Sequence, residues 1–172
     1  VNDKKLNVKE EGYDVVLTNP PFGKKIISTT KEVQKTYDLG FMWKLDKVSK
    51  RYIKSDKLQR SVPPQVLFVE KCIKLLKEKG RLGIVLPESL LTSSSYSYVV
   101  QYMHDNCNLD AVLGMPEDFF KTSGKGGTHT KACLVVMHKR SKKVAKRSDD
   151  NFFMAEAQWC GHDSRGRQIE FD

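Results

Sequence analysis

Residues 18–22 read TNPPF and place an amide, two prolines and an aromatic ring at the end of a short apolar run. The prolines fix the backbone and carry no N–H groups, so nearby carbonyls stay free to accept hydrogen bonds. Asn19 adds a side-chain acceptor and Phe22 a flat apolar face. Together they suit a planar ring with an exocyclic NH2 group. The alternative is a strand-ending turn in which these residues only redirect the chain.

The elements around TNPPF predict half of a doubly wound α/β sheet. Apolar strands alternate with amphipathic helices, which is the pattern of parallel strands joined by helical crossovers. The short connection before the last strand allows an antiparallel partner, so the sheet is expected to be mixed. TNPPF then lies just past the carboxyl end of a strand, where such sheets bind ligands. The predicted strands are 13–19, 81–87, 109–116 and 131–139, and the predicted helices are 63–80 and 92–107.

The net charge of +9 is concentrated in two segments. Residues 24–62, which we interpret as a long, partly ordered insertion, hold eleven Lys/Arg and four Asp/Glu. Residues 138–150 hold six Lys/Arg and two Asp. Two basic segments beside a near-neutral core favour a polyanionic partner, although solvated lysine-rich loops give the same pattern. Trp43 and Tyr52 in the insertion can stack on bases, but such aromatics more often anchor a loop to the core.

The composition excludes several other classes of protein. The four cysteines are far apart and predict buried, reduced thiols in a cytoplasmic protein, not disulfides or a zinc site. Four scattered histidines add no metal-binding spacing. No segment approaches the run of about 18 apolar residues that a membrane helix needs. The polar opening VNDKKLNVKEEG predicts no signal peptide.

Several segments resemble one enzyme family. TNPPF is similar to the catalytic motif of amino-group DNA methyltransferases, Asp/Asn/Ser-Pro-Pro-Tyr/Phe/Trp, in the form of the adenine-N6 enzymes. The segment PPQVLFVEKCIKLLKEKGRLGIVLPESLL, the pair LDAVLGMPEDFF and THTKACLVVM, and GHDSRGR (161–167) are also similar to that family. Together they resemble the modification subunit of type I restriction-modification systems and its N-6 DNA methylase relatives. The resemblance covers most of the chain outside 24–62.

The resemblance implies an adenine-N6 DNA methyltransferase that uses S-adenosylmethionine, on the C-terminal half of a Rossmann-like fold. The Asn19 side-chain oxygen and the Pro20 carbonyl would accept the two N6 hydrogens of a flipped-out adenine. Pro21 completes the motif, Phe22 would stack on the base, and Asn19 would be this chain's partial contribution to the cofactor site. A cytosine-C5 enzyme would instead need a cysteine nucleophile, usually after a proline, and the sequence has no Pro-Cys.

The same resemblance implies DNA and a specificity subunit as partners. The residues expected to contact DNA are Lys24, Lys25, Lys31, Lys35, Lys125 and His129. The family's cofactor cradle, a strand that ends in a glycine-rich turn before a helix, is not recognisable before Tyr13. The glycine cluster SGKGGTHT (123–130) precedes a strand and predicts a hairpin tip instead.

These features lead to expectations about the chain itself. Residues 1–147 would form the C-terminal part of the catalytic domain, and 148–172 a linker with a short outlying strand and turn. The chain alone would have little or no activity and would not bind the cofactor tightly. Residues 14–18 would form an exposed sheet edge, which can pair with another copy of the chain.

Two other functions stay open at this point. NPPF also resembles motifs of rRNA guanine-N2 and protein glutamine methyltransferases, which likewise present a planar amino or amide group. A non-catalytic nucleic-acid-binding module could have kept the shape of the pocket. In that case the cluster from Lys44 to Arg60 would contact phosphates together with the lysines near TNPPF.

Overall fold

The computed structural model describes residues 8–21, 30–117, 119–120, 130–141, 151–163 and 167–170. Strands and helices alternate along these ranges, with short 3-10 turns at Asp38–Gly40 and Ser94–Tyr96. The elements are β1 (Tyr13–Thr18), α1 (Lys31–Gln34), β2 (Phe41–Leu45), β3 (Tyr52–Leu58), α2 (Pro64–Leu75), β4 (Leu76–Pro87), α3 (Glu88–Thr92), α4 (Ser97–Asn106), β5 (Cys107–Gly114), β6 (Ala132–Lys139) and β7 (Phe153–Glu156).

Five strands form one mixed sheet in the order β1-β4-β6-β5-β7. β1 runs parallel to β4, and β5 runs parallel to β7. β6 is antiparallel to both β4 and β5, which makes those two strands parallel to each other. The predicted mixed sheet with helical crossovers and a last antiparallel strand is therefore confirmed. The crossovers through α2 and α4 bring the carboxyl ends of β1, β4, β5 and β7 to one edge, called here the carboxyl edge.

A layer formed by α2 and α4 covers one face of the sheet. Leu82, Ile84 and Leu86 alternate along β4, are fully buried and belong to one apolar cluster with residues of both helices. This period of two places them on the same face of the strand. From α2, Val66 and Val69 reach the same cluster and are fully buried. The hydrophobic effect that stabilises the domain therefore acts mainly between β4 and this helix layer.

Among the described residues, the β1 edge of the sheet is exposed. Val16 packs against the core cluster, so its neighbours Val15 and Leu17 point to the other face. Val15 is 55% exposed and Leu17 is 78% exposed. Leu17 lies over Gly83 of β4, where an added Cβ would approach the Leu17 Cδ2 atom to 2.7 Å. The expected exposed edge is thus present, and β1 pairs with one strand of the described residues.

The helix boundaries differ from the sequence prediction. The helix predicted to end at Gly80 ends at Leu75, and β4 begins at the fully buried Leu76. Leu76 pairs with Tyr13, and an irregularity in the ladder follows before Arg81 pairs with Val15. Lys79 in this irregularity has a φ of 64°. Burial of Leu76 against the start of β1 ends the helix early, so Gly80 is part of the strand.

The helix predicted at 92–107 is also divided. Its first residue, Thr92, ends α3, a 3-10 turn follows at Ser94–Tyr96, and α4 begins only at Ser97. The Ser93 hydroxyl accepts a hydrogen bond from the Ser95 amide at 3.3 Å. Serine side chains compete for backbone groups in this way, which explains the break in a serine-rich stretch.

The described part of the insertion, residues 30–62, is well structured. It contains α1, the first 3-10 turn and an antiparallel hairpin of β2 and β3. As predicted, Trp43 and Tyr52 anchor it, because both pack against the core cluster. The insertion thus forms a third layer outside the helices.

At the other end of the chain, β7 joins the main sheet beside β5 and forms its second edge. A turn follows in which His162 bridges to Gln168. The predicted domain boundary at 147/148 lies outside the described residues and stays a prediction. Within the ranges described, every helix is too short or too polar to cross a membrane.

Candidate functional site

The Asn-Pro-Pro segment lies at the carboxyl edge, directly after the last residue of β1. The β1–β4 ladder ends where Thr18 pairs with Ile84. Asn19 is exposed, Pro20 is buried, and Pro21 is exposed. A buried proline fixes the backbone at this point, since its φ is already restricted by the ring. The arrangement holds an exposed amide on a rigid support at the edge where α/β sheets bind ligands.

The rest of the carboxyl edge carries a surface ion cluster. Lys131, just before β6, donates to Glu156 at 2.9 Å and lies 3.5 Å from Glu88. The hydrogen bond with Glu156 raises the pKa of Lys131, and the same contact lowers the pKa of Glu156. Glu88, which follows the VLP strand, is therefore engaged in an ion pair. The cluster ties the ends of β4 and β7 to the start of β6.

A cavity of about 590 Å³ lies between the helix layer and strands β5, β6 and β7. Its interior is apolar, with side chains such as Met103, Val135 and Met137, and the ion cluster forms part of its lining. None of its lining residues belongs to the Asn-Pro-Pro segment. The lining also includes His104 and two buried cysteines, and its carboxylates are paired with Lys131 in the ion cluster. The exposed Asn19 therefore stays the candidate for chemistry.

Three of the four cysteines are buried structural thiols, and Cys160 is only partly buried. Burial raises the pKa of Cys72 and of Cys133 to about 11, and that of Cys107 to about 12. These three side chains are therefore protonated near neutral pH and are poor nucleophiles. Among the residues that the structure describes, no group of His, Cys, Asp and Glu side chains could hold a metal ion.

Of the residues predicted to contact nucleic acid, the structure describes two, Lys31 and Lys35. Lys31 donates to the Gln59 carbonyl at 2.6 Å, to the Arg60 carbonyl at 2.8 Å and to the Gln34 amide oxygen at 3.1 Å. These hydrogen bonds of Lys31 join the start of the insertion to its end. Lys35 is exposed. The remaining predicted site residues lie outside the described ranges: Phe22, Lys24, Lys25, Lys125 and His129.

The residues that fix the insertion were not recognised in the sequence. Glu70 of α2 is fully buried and accepts from the amides of Asp38 at 2.9 Å and Leu39 at 2.7 Å. Lys74 lies 2.6 Å from the same carboxylate. The buried Gln34 donates to the carbonyls of Gly40 and Gln59, both at 2.8 Å.

One signal could have identified Glu70. It lies four residues after Val66 and three before Ile73, on the apolar stripe of α2. A carboxylate in that position must be satisfied by hydrogen bonds or ion pairs when it is buried.

Comparison with known proteins extends this description. The N-6 DNA Methylase family matches residues 1–171. A protein of Methanocaldococcus jannaschii, named as a type II restriction enzyme and methyltransferase, is 28% identical over 139 residues, which is 79% of this chain and 9% of that protein. The EcoEI methylase subunit of a type I restriction enzyme from Escherichia coli is 26% identical over 177 residues, covering 94% of this chain and 32% of the subunit.

Solved structures share the fold. A Listeria monocytogenes protein, named as a class I S-adenosylmethionine-dependent methyltransferase, superposes with a TM-score of 0.59 at 18% identity, over 85% of this chain and 37% of that one. The M protein of the type I restriction enzyme EcoKI gives 0.53 at 16% identity, over 90% and 28%. This chain therefore spans only a minor part of each relative. Its mixed sheet is the Rossmann-like fold of these enzymes, and the chain belongs to the N-6 DNA methylase family of restriction-modification methylases.

Proposed function

We propose that the protein carrying this chain is a site-specific adenine-N6 DNA methyltransferase, and that this chain supplies the side of the active site that binds the target base. The observation that carries the proposal is the exposed Asn19 beside the buried Pro20 at the carboxyl edge. Family membership supports DNA methylation by the whole protein. An acceptor pair at this edge supports an amino group as the methylated atom.

The chemistry of the pocket follows from two acceptors. The Asn19 side-chain oxygen and the Pro20 carbonyl take the two hydrogens of the adenine N6 amino group. This favours a tetrahedral nitrogen with its lone pair free for the methyl donor. Phe22 follows in the sequence and is proposed to stack on the flipped base. No covalent intermediate with the protein is required, so positioning and these fixed acceptors provide most of the rate enhancement.

The described residues do not form a complete cofactor cradle. S-adenosylmethionine would supply the methyl group, and the family binds it at a strand that ends in a glycine-rich turn before a helix. In the part of the chain that the structure describes, β1 ends in Asn-Pro-Pro and β4 ends in Pro87 before Glu88. Neither end provides backbone N–H groups in a glycine turn. We therefore propose that residues outside this chain hold the cofactor, with Asn19 as this chain's contribution.

The proposed partners are DNA and, for a type I assembly, a specificity subunit. Lys35 and the lysines that directly follow Phe22 would contact phosphates near the base pocket, together with Lys125 and His129. Lys31 contributes positive charge but keeps its hydrogen bonds within the insertion. Because the β1 edge is exposed, the isolated chain is also proposed to pair with a second copy there. A cytoplasmic location fits a DNA substrate.

Substitution of Asn19 in the full-length protein tests the base pocket. We expect Asn19→Ala to lower methyl transfer to adenine-containing duplex DNA by roughly 10²–10³-fold, the cost of removing one fixed polar partner of the reacting group. Duplex affinity should change little. Asn151→Ala makes the same substitution at an exposed position and should keep full activity. Transfer of tritiated methyl groups, followed by nucleoside analysis, measures both variants.

Other outcomes would contradict the proposal. Full activity of the Asn19→Ala variant would show that Asn19 does not bind the target base. Methylation of rRNA guanine or of release-factor glutamine, without methylation of DNA, would move the function to those substrates. If the full-length protein binds duplex DNA but methylates none of these substrates, the chain is part of a binding module.

Calorimetry tests the location of the cofactor site separately. The isolated chain should show no heat of binding with S-adenosylmethionine, whereas the full-length protein should bind it. Tight binding by the chain alone would show that its own residues form the cradle.

A further inference from the structure

The β2–β3 hairpin contacts helix α4 through a side chain of β2 and the backbone of β3. The Trp43 ring stacks on Tyr98 of α4, with 6.2 Å between ring centroids. The Gln101 side chain accepts from the Tyr52 amide at 2.7 Å and donates to the Tyr52 carbonyl at 2.9 Å, as a neighbouring strand would. These contacts occupy one face of the hairpin, and the other face is exposed among the residues that the structure describes.

The exposed face combines apolar and basic side chains. Met42 and Lys44 alternate with the inward Trp43, and Ile53 pairs with Lys44, so these three share the outer face. Met42 is 41% exposed and Ile53 is 56% exposed. The turn between the strands adds Lys47, Val48 and Lys50, of which Val48 is 92% exposed. The hairpin face is defined as Met42, Lys44, Lys47, Val48, Lys50 and Ile53.

The turn of the hairpin lies far from the candidate base pocket. Arg51, next to the turn, forms an ion pair with Asp105 in the last turn of α4. Helix α4 runs from the carboxyl edge back to the start of β5, so Asp105 lies toward the opposite edge of the sheet. Asn19 lies at the carboxyl edge. The hairpin turn therefore does not border the site that the target base would enter.

The composition of the hairpin face indicates which class of partner can bind it. Exposed apolar side chains next to lysines require a surface that covers the apolar atoms and supplies negative charge. A second copy placed face to face here would bring Lys44, Lys47 and Lys50 of both copies together without carboxylates opposite them, so this face does not complement itself. Phosphates would satisfy the lysines but would leave Met42, Val48 and Ile53 without apolar contacts. The hairpin also lies against α4 up to its turn, so it cannot enter a DNA groove as a free ribbon.

We propose that the hairpin face docks onto a protein surface that has an apolar centre flanked by Asp and Glu side chains. The lysines match the carboxylates, and the apolar side chains form the centre of the contact. Because the hairpin is already held by Trp43 and Tyr52, docking requires little ordering of this chain, which favours affinity. The proposal does not depend on methyl transfer, so its failure would leave the proposed function unaffected.

Photo-crosslinking tests the partner class. A photo-crosslinking amino acid replaces Ile53 in the full-length protein, which is then assembled with the polypeptides that co-purify with it and with a target duplex. We expect crosslinks to one polypeptide segment in which apolar residues alternate with Asp and Glu. The control replaces Val33, which is 47% exposed and lies on α1 outside the hairpin. Crosslinks to the duplex, no protein crosslink, or the same crosslinked segment from position 33 would overturn the proposal.

Charge neutralisation then tests the contact with the crosslinked partner. The variant K44Q/K47Q/K50Q should bind that partner about tenfold more weakly, with a weaker dependence on salt. The variant K9Q/K71Q/K77Q makes an equal charge change on other surfaces, at exposed or ion-paired lysines, and should bind normally. Equal losses in both variants would mean that net charge, not this face, attracts the partner. A loss of duplex affinity confined to the first variant would assign the face to DNA.

Discussion

The insertion and strand β1 flank the Asn-Pro-Pro segment, and they differ in what holds them. The insertion is rich in charge, yet buried polar side chains fix its position. Glu70 of α2 accepts hydrogen bonds from two amides of the insertion, and Gln34 donates a hydrogen bond to a carbonyl within it. The centre of strand β1 is apolar, yet Val15 and Leu17 are exposed, and one side of the strand has no neighbour among the described residues.

This difference shows that the hydrophobicity of a segment does not by itself decide whether the segment is buried. A few buried polar groups with complete hydrogen bonding can fix a charged segment in one position. An apolar strand is buried only when a second element covers it, and no element of the described residues covers Val15 and Leu17. Within the described residues, polar contacts therefore hold the insertion, whereas β1 is held by β4 on one side only.

The largest expected effect is at Glu70. Glu70→Ala removes the charged acceptor of the Asp38 and Leu39 amides and the partner of Lys74. We expect a loss of about 3–5 kcal/mol in the local stability of the insertion. Hydrogen exchange of the amides of residues 38–58 in the full-length protein measures it. The exposed Glu32→Ala is the control and should cost less than about 0.5 kcal/mol. Unchanged protection in Glu70→Ala would mean that other contacts hold the insertion.

Substitution of Trp43, the aromatic anchor of the insertion, should lower local stability less than substitution of Glu70. Trp43→Ala removes the stack on Tyr98 and the hydrogen bond from the indole N–H to the Asp38 carbonyl at 3.1 Å. Because Trp43 is only half-buried, we expect the local stability of the insertion to fall by about 2–3 kcal/mol, less than for a fully buried tryptophan. Hydrogen exchange of the same amides measures this loss. Met42→Ala on the outer face of the same strand is the control and should be nearly neutral. A similar loss in both variants would contradict the assignment of the two faces.

Lys31 tests whether the base of the insertion is held by charge-assisted hydrogen bonds. Lys31→Met should cost about 1 kcal/mol of local stability, since its hydrogen bonds lie at the exposed surface and are screened by solvent. Lys35→Met should leave hydrogen exchange unchanged but reduce the salt dependence of duplex binding by about one phosphate contact. If the two variants give the reverse pattern, Lys31 is the DNA contact and Lys35 the structural one.

The smallest effect on stability is expected at Leu17. Leu17→Lys should change the free energy of unfolding of the isolated chain by less than about 0.5 kcal/mol, because the side chain is 78% exposed. It should also abolish self-association, which sedimentation velocity measures, whereas Val8→Lys outside the strand should not. A loss above about 2 kcal/mol would show that this face is already covered within the chain.

Much of the fold could be predicted because its signals are local. Periods of two and 3.6 residues located the alternating strands and helices, and the short connection before β6 indicated an antiparallel strand. The position of β6 between β4 and β5 could not be predicted, since strand order depends on contacts between distant segments. The early end of α2 was missed because Leu76 is buried by pairing with Tyr13, which lies more than sixty residues earlier.

The same limit applies to the candidate site. Asn19 was identified from adjacent residues, and the structure places it exposed at the carboxyl edge. The order within the insertion was missed because its hydrogen bonds join residues that lie 25 to 32 positions apart, such as Gln34 with Gln59 and Glu70 with Asp38. No local pattern in a charged segment indicates such pairs.

The position of β6 has a consequence for how the chain reaches its native state. β6 lies between β4 and β5 and pairs with both, so these two strands are linked through backbone hydrogen bonds only when residues 132–139 are present. During synthesis, β1, α2 and β4 can associate early, whereas β5 emerges with no strand to pair with. Joining β4 and β5 into one sheet therefore requires residues 132–139, and β7 completes the sheet only after residue 156. Non-local pairing of this kind is slow, and the exposed edge of β4 is vulnerable to aggregation during that interval.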